Sequence, residues 1–254
     1  MFEYHPYEGK FEGEKHLTQR NLERIADLKL GKAFKFAFIS DTQRWYDETN
    51  LAVADINRRE DVDFVLHGGD LTDFGMTEEF VWMRDCLLKI RKPWLTIIGN
   101  HDFLGHGEYI YTEMYGSYNY AFTVGSVRFE MLNTVALEFD YSTPVPDFNF
   151  LEQELQYVST VNEQHPDSIQ RCIFVMHSRP GDEQFNNNVG LAFGRYLQSY
   201  PNAVCFNGHN HCLETLEPFN NGILFHGISE INDHKYYLIT INEDSSYELE
   251  VVDF

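Results

Sequence analysis

No apolar run in these 254 residues approaches the roughly 20 that a membrane span needs, so nothing in the chain is expected to cross a bilayer. Basic residues are scarce: 19 Lys and Arg stand against 40 Asp and Glu, a formal net charge of -21. No stripe of Lys and Arg overrules that average, which argues against long-range attraction to nucleic acid or to an anionic membrane surface. Cysteine is also sparse. Cys86, Cys172, Cys205 and Cys212 lack the paired spacing of a zinc knuckle or a thioredoxin-like motif and are too few to staple a chain of this length, so free, structural thiols are expected. The opening MFEYHPYEGK has neither the basic start nor the apolar run of a signal peptide, and reads as cytoplasmic unless a leader was removed. Internal repeats and low-complexity tracts are missing, and nothing in the pattern specifies an oligomeric state.

What is present describes a folded chain. Hydrophobic residues make up 43% and aromatics 15%, without a composition break that would mark a second domain. Residues 1–33 read as a polar lead-in carrying a short helix, with Leu22, Ile25 and Leu28 at helical spacing and Gly31 placed to end it. From residue 34 to 254 compact apolar segments alternate with amphipathic ones, the signature of an α/β domain. Phe34 to Ser40, Val62 to His67 and Trp94 to Ile98 are predicted as parallel strands, with helices over Asn50 to Arg59 and Thr77 to Ile90 between them. Tyr118 to Val124 and Val127 to Asn133, joined by Gly125 and Ser126, predict an antiparallel hairpin. A helix at Phe150 to Val161, strands at Arg171 to Met176 and Asn202 to Phe206, and a strand-rich C-terminal part with an Asn221-Gly222 turn complete the pattern.

Metal-ligating side chains recur just after strands, where open α/β sheets place their ligands. ISDTQ offers Asp41 and Gln43; HGGDLTD offers Asp70 and Asp73; GNHD offers Asn100, His101 and Asp102; MHSRP offers His177; GHNH offers His209 and His211. Singly, an Asp after a strand is often a helix cap and a lone His is often structural. Together, carboxylates, an amide oxygen and imidazoles arriving at one sheet edge call for a metal centre.

These ordered blocks, D-x-(H or Q), GDxxD, GNHD, a lone His after a strand and GHxH, resemble those of the calcineurin-like metallophosphoesterases. The resemblance runs from about Phe34 to the C-terminus. It implies an α/β fold of four αββα layers, two mixed sheets packed face to face, with a dinuclear metal site at the strand ends. It implies that Asp41, Gln43 and His211 hold one divalent ion, that Asn100, His177 and His209 hold a second, and that Asp70 bridges them. The implied activity is hydrolysis of a phosphate ester, as phosphatase or phosphodiesterase, by attack of a hydroxide held between the ions. His101 would be the general acid, with the Asp73 carboxylate orienting its ring and favouring the protonated form. Mixed nitrogen and oxygen donors suit Mn, Fe, Zn or Ni without choosing among them.

Gln43 stands where the commoner motif has His, and its neutral carbonyl oxygen is a weaker donor to transition metals than imidazole. The alternative function arises from it: a binding or regulatory protein that keeps the scaffold with a weakened first site. Arg44 and Arg179 are candidate phosphate contacts, for which surface salt bridges are the competing reading. His67 and His226 read as buried, satisfied histidines. The five tyrosines from Tyr109 to Tyr120 could wall a substrate cleft or simply pack beneath a loop.

Overall fold

The computed structural model describes residues 9–138 and 143–254. The first eight residues of the expected lead-in lie outside the described residues. Beyond the lead-in the chain folds into a pair of mixed sheets. The first, in strand order β11-β10-β1-β2-β3, contains β1 (Phe34–Ile39), β2 (Phe64–His67), β3 (Trp94–Thr96), β10 (Lys235–Ile241) and β11 (Tyr247–Asp253). The second, in order β4-β5-β6-β7-β9-β8, contains β4 (Tyr120–Val124), β5 (Val127–Leu132), β6 (Arg171–Met176), β7 (Val204–Asn207), β8 (Glu214–Leu216) and β9 (Phe225–Gly227). As the patterning predicts, β1, β2 and β3 run parallel, and β4 and β5 form an antiparallel hairpin.

The sheets face each other through aromatic side chains. Phe36 on β1 meets Phe129 on β5 edge-on with ring centres 5.5 Å apart and Phe206 on β7 at 6.2 Å; Phe64 on β2 also meets Phe129, at 5.7 Å. Alternation along β1 sends Phe34, Phe36 and Phe38 into this inter-sheet core and Ala37 and Ile39 to the opposite, helix-covered face, so both faces are buried. Helices α2 (Tyr46–Arg58) and α3 (Thr77–Leu87) pack together in the crossovers of the first sheet. Helices α5 (Phe148–Gln164) and α6 (Gly190–Ser199) cover the second, where Leu151, Val158, Phe193 and Leu197 close on Phe174 and Phe225. Helix-sheet-sheet-helix layering results.

Helix α1 (Leu17–Asp27) is part of this body. Its Leu17 and Ile25 are buried, its Asn21 Oδ1 accepts the Trp94 backbone N–H at 3.1 Å, and so it closes the free edge of β3; Leu28, past the helix end, is exposed. The tyrosine-rich run serves the same edge. It contains α4 (Gly107–Met114), which the patterning left as loop, and both the Tyr111 and Tyr120 hydroxyls donate to the Thr96 carbonyl, at 3.1 and 2.7 Å. Tyr111 and Tyr115 are fully buried with rings 5.0 Å apart, so packing rather than a substrate cleft accounts for them. All four cysteines are free, as expected.

Candidate metal centre

The five motif loops meet where the C-terminal ends of β1, β2, β3, β6 and β7 come together, drawing on both sheets. Loop is stitched to loop by backbone bonds: Asp41 N–H donates to the Gly69 carbonyl at 3.0 Å, and Thr42 and Gln43 N–H both donate to the Asp70 carbonyl at 3.1 Å. Asp41, Asp70 and His177 are buried and offer ligating atoms within 4.8 Å of one another.

Around this trio the side chains sort into two groups. His211 Nε2 lies 3.2 Å from Asp41 Oδ1. His177 Nε2 lies 3.0 Å from Asn100 Oδ1 and 3.2 Å from Asp70 Oδ2, while its Nδ1 donates to the Gly68 carbonyl at 2.8 Å, which fixes the ring with Nε2 inward. Asp70 Oδ1 accepts the His101 N–H at 3.0 Å. His209 donates its backbone N–H to the Asp41 carboxylate, at 3.2 Å from Oδ2, and turns its ring Nε2 to Glu183 Oε1, also at 3.2 Å. The imidazoles of His177 and His209 meet edge to face with centres 5.2 Å apart.

The donor set fits a cation. Gln43 Oε1 is buried and finds no hydrogen-bond partner among the described residues, a costly arrangement for a carbonyl oxygen unless it has an ion to coordinate. His177 Nε2 faces only acceptors. Burial opposes charge on this ring, yet Asp70 and then Asp41 push it up to about 10, so the cluster draws positive charge strongly enough to hold a proton there.

Backbone geometry makes the close approach possible. A Cβ at Gly99 would stand 2.1 Å from Asp70 Oδ1, and one at Gly208 would stand 2.4 Å from Asp41 Oδ2. The glycines of GNHD and GHNH are therefore space left for the carboxylates. Asp41, Asp70, His209 and His211 all occupy left-handed backbone, with φ of 53, 57, 71 and 51°. Such conformations are uncommon outside glycine and gather where function requires them.

Asp102 satisfies loop backbone: Oδ1 accepts from Leu71 N, Thr72 N and Thr72 Oγ1, and Oδ2 from Gly99 N, each at 2.9 Å. His67 is structural. Gly69 N–H donates to its Nδ1 at 3.1 Å, so Nε2 carries the proton toward Thr42 Oγ1 at 2.9 Å, and burial pushes the ring down to about 4. His226, likewise down to about 4 through burial, bridges Thr215 and Tyr247.

Three side chains make contacts that bear on their expected parts. The Asp73 carboxylate stands within ion-pair reach of the His101 ring, 3.8 Å from Nδ1, but the hydrogen bond from Nδ1 goes to the Asp73 backbone carbonyl at 2.8 Å. Arg44 pairs with the same carboxylate, which is the salt-bridge reading that competed with a phosphate contact for it. Arg179 is equally committed: Nε donates to Glu214 at 3.0 Å, and its terminal nitrogens meet Asp182 at 3.2 Å and the Pro180 carbonyl. Sequence reasoning also missed Glu183, Glu230 and Asp182, whose Oδ1 accepts from Asn210 Nδ2 at 2.8 Å and steadies the GHNH loop. No motif marks any of them.

The calcineurin-like phosphoesterase profile matches residues 34–213, most of the chain and every motif residue of the cluster. The chain belongs to the calcineurin-like phosphoesterase family. Among solved structures it is similar to GAP50, the anchor in the inner membrane complex of Plasmodium, with a TM-score of 0.65 and 12% identity over 87% of this chain and 84% of that one. It is similar to the 5'-nucleotidase of Candida albicans, with a TM-score of 0.57 and 14% identity over 89% of this chain but 52% of that one. TT1561 of Thermus thermophilus aligns at a TM-score of 0.55 and 12% identity over 87% of this chain and 99% of that one. At these identities the likeness is one of fold. No curated protein matches the sequence. Family membership carries metal-dependent phosphoesterase chemistry in general, and no helix among the described residues is long and apolar enough to cross a membrane.

Proposed function

We propose that this chain hydrolyses a phosphate ester at the cluster, with Asp41, Gln43 and His211 holding one divalent ion, Asn100, His177 and His209 a second, and Asp70 shared between them. The observation carrying the reading is the convergence of Asp41, Asp70 and His177, buried and within 4.8 Å, from loops of both sheets. Two ions there would neutralise charge on the phosphoryl oxygens and lower the pKa of a coordinated water. His101 is the general acid. Its Nδ1 donates to the Asp73 carbonyl at 2.8 Å, which leaves Nε2 to deliver a proton to the departing oxygen, and its backbone N–H on Asp70 Oδ1 fixes it relative to the shared carboxylate. Asp73 acts through its carbonyl on His101, and through its carboxylate on Arg44.

A second reading, a binding scaffold without turnover, draws on the Plasmodium anchor protein of the same fold and on Gln43. It gives His101 no task. Metal analysis of the purified chain, together with hydrolysis of nitrophenyl phosphate and bis-nitrophenyl phosphate before and after chelation, separates the two. Up to two Mn, Fe, Zn or Ni equivalents and chelator-sensitive hydrolysis are expected. Hydrolysis that survives complete metal removal ends the first reading, and bound metal without hydrolysis of either ester favours the second.

A further inference from the structure

His211 has a second neighbour besides Asp41. Glu230, just before the short helical turn Ile231–Asp233, places Oε2 3.7 Å from His211 Nδ1, within ion-pair reach though longer than a hydrogen bond. The same oxygen accepts the Trp45 indole N–H at 2.9 Å. Trp45 lies two residues beyond Gln43, in a turn where its own N–H donates to the Gln43 carbonyl at 2.8 Å, and the Ile231 N–H reaches the Asp41 carbonyl at 3.4 Å. Glu230 is thus anchored from two directions to the loop that carries Asp41 and Gln43.

From this geometry we infer that Glu230, held by Trp45, is a positioning residue that aims His211 Nε2 at the first metal position and strengthens it as a donor. The inference rests on the two-metal reading above. A carboxylate behind the outer nitrogen of a ligating imidazole fixes the ring's tautomer and raises the basicity of the inner nitrogen. That effect matters most in the half of the centre whose other donors include a neutral amide oxygen. Gln43 gives a transition metal less than an imidazole would, and the added negative charge behind His211 offsets part of that deficit.

The test is titration of the chelator-stripped full chain with MnCl2 by calorimetry, paired with visible absorption of the protein titrated with CoCl2. Glu230→Gln keeps an oxygen for the Trp45 N–H and removes only the charge, so a purely structural link between loops would not register it. Glu230→Gln is expected to weaken one of two ions by about 10–100-fold and to leave the other within about twofold, with the cobalt spectrum of that one site altered. The ion affected is the one that His211→Ala loses. Trp45→Phe, which keeps the packed ring without its N–H, weakens the same ion by a smaller factor, and the metal-free melting temperature of each variant stays near wild type. Unchanged affinities in Glu230→Gln, or equal weakening of both ions, overturn the inference while leaving the two-metal reading intact. A wild-type chain that takes up fewer than two ions overturns both.

Discussion

Glu130 lies far from any ligand loop in the sequence and is the sharpest test of how this fold carries charge. It sits on β5 fully buried, and neither carboxyl oxygen has a hydrogen-bond partner among the described residues. The nearest cation, Arg128, stays 3.8 Å away because Glu154 holds it at 2.5 Å and Thr123 at 3.0 Å, with the Tyr157 ring stacked on it. Burial, reinforced by Glu154 and only partly offset by Arg128, pushes Glu130 from 4.5 up to about 9. The folded-state value is the higher one, so the folded chain holds a proton that the unfolded chain releases. Its contribution is therefore fully present below pH 4.5 and is lost as pH rises toward 9. At about 1.4 kcal/mol per unit, the 2.5 units between 4.5 and pH 7 cost about 3 kcal/mol. Glu130→Gln inherits the unmet polar atoms of the neutral acid but never ionises. It should gain about 3 kcal/mol at pH 7, or about 6–12 °C in Tm for a chain of this size, and under about 1 kcal/mol at pH 5. Urea and thermal unfolding of both proteins in chelator, from pH 5 to 9, measure the difference. Parallel stability profiles would show that Glu130 is ionised or solvated in the folded state, and the burial argument would fail.

Three further outcomes concern the candidate site. His101→Ala should lower turnover about 10²–10⁴-fold on an alkyl phosphate and much less on a nitrophenyl ester, with metal content unchanged; equal losses on the two would make His101 a positioning residue. Gln43→His should tighten the weaker of two ions for Zn, Mn or Fe and leave the other nearly unaltered by calorimetry, whereas unchanged affinity would remove Gln43 from the ligand set. Asp102→Asn should cost about 1–3 kcal/mol in urea unfolding, because an amide can keep the three donors on Oδ1 but presents N–H to Gly99 N–H; no loss would mean the loop repacks.

β1 and β6 were legible because burial on both faces leaves apolar segments, and the β4–β5 hairpin because a glycine turn joins its two segments; all fall within two residues of their predicted limits. Helix ends were less so. The start of α2 was expected at Asn50 and lies at Tyr46, although Asp47 and Glu48 in its first turn are a readable N-terminal signal. The start of α5 at Phe148 is set by Asp147, whose side chain accepts from Asn149 N and Phe150 N and could have been read as a cap. The candidate ligand positions could be read because each comes just after a strand end, a local property. What the motifs hide is who holds whom. Arg44 taking Asp73, Glu214 taking Arg179, and Trp45 taking Glu230 depend on loops that meet only in the folded chain, 29 to 185 residues apart.

The same motifs also show why residue type at the centre is determined twice over. Left-handed backbone at Asp41, Asp70, His209 and His211 costs about 1–3 kcal/mol at each non-glycine position, and glycine would relieve it. Relief would remove the candidate ligand side chain. The strain is held by the contacts on either side: Asp41 N–H on Gly69, Gln43 N–H on the Asp70 carbonyl, and His209 N–H on the Asp41 carboxylate. Conversely, the unstrained neighbours Gly99 and Gly208 cannot gain a side chain without striking Asp70 and Asp41. In the GHNH loop the two stand side by side, with Gly208 close against Asp41 and the left-handed His209 next to it. Helix ends account for the left-handed His16 and His234, whereas Asp41, Asp70, His209 and His211 cap no helix. On the two-metal reading, a buried centre that gathers several donors around shared cations accounts for both.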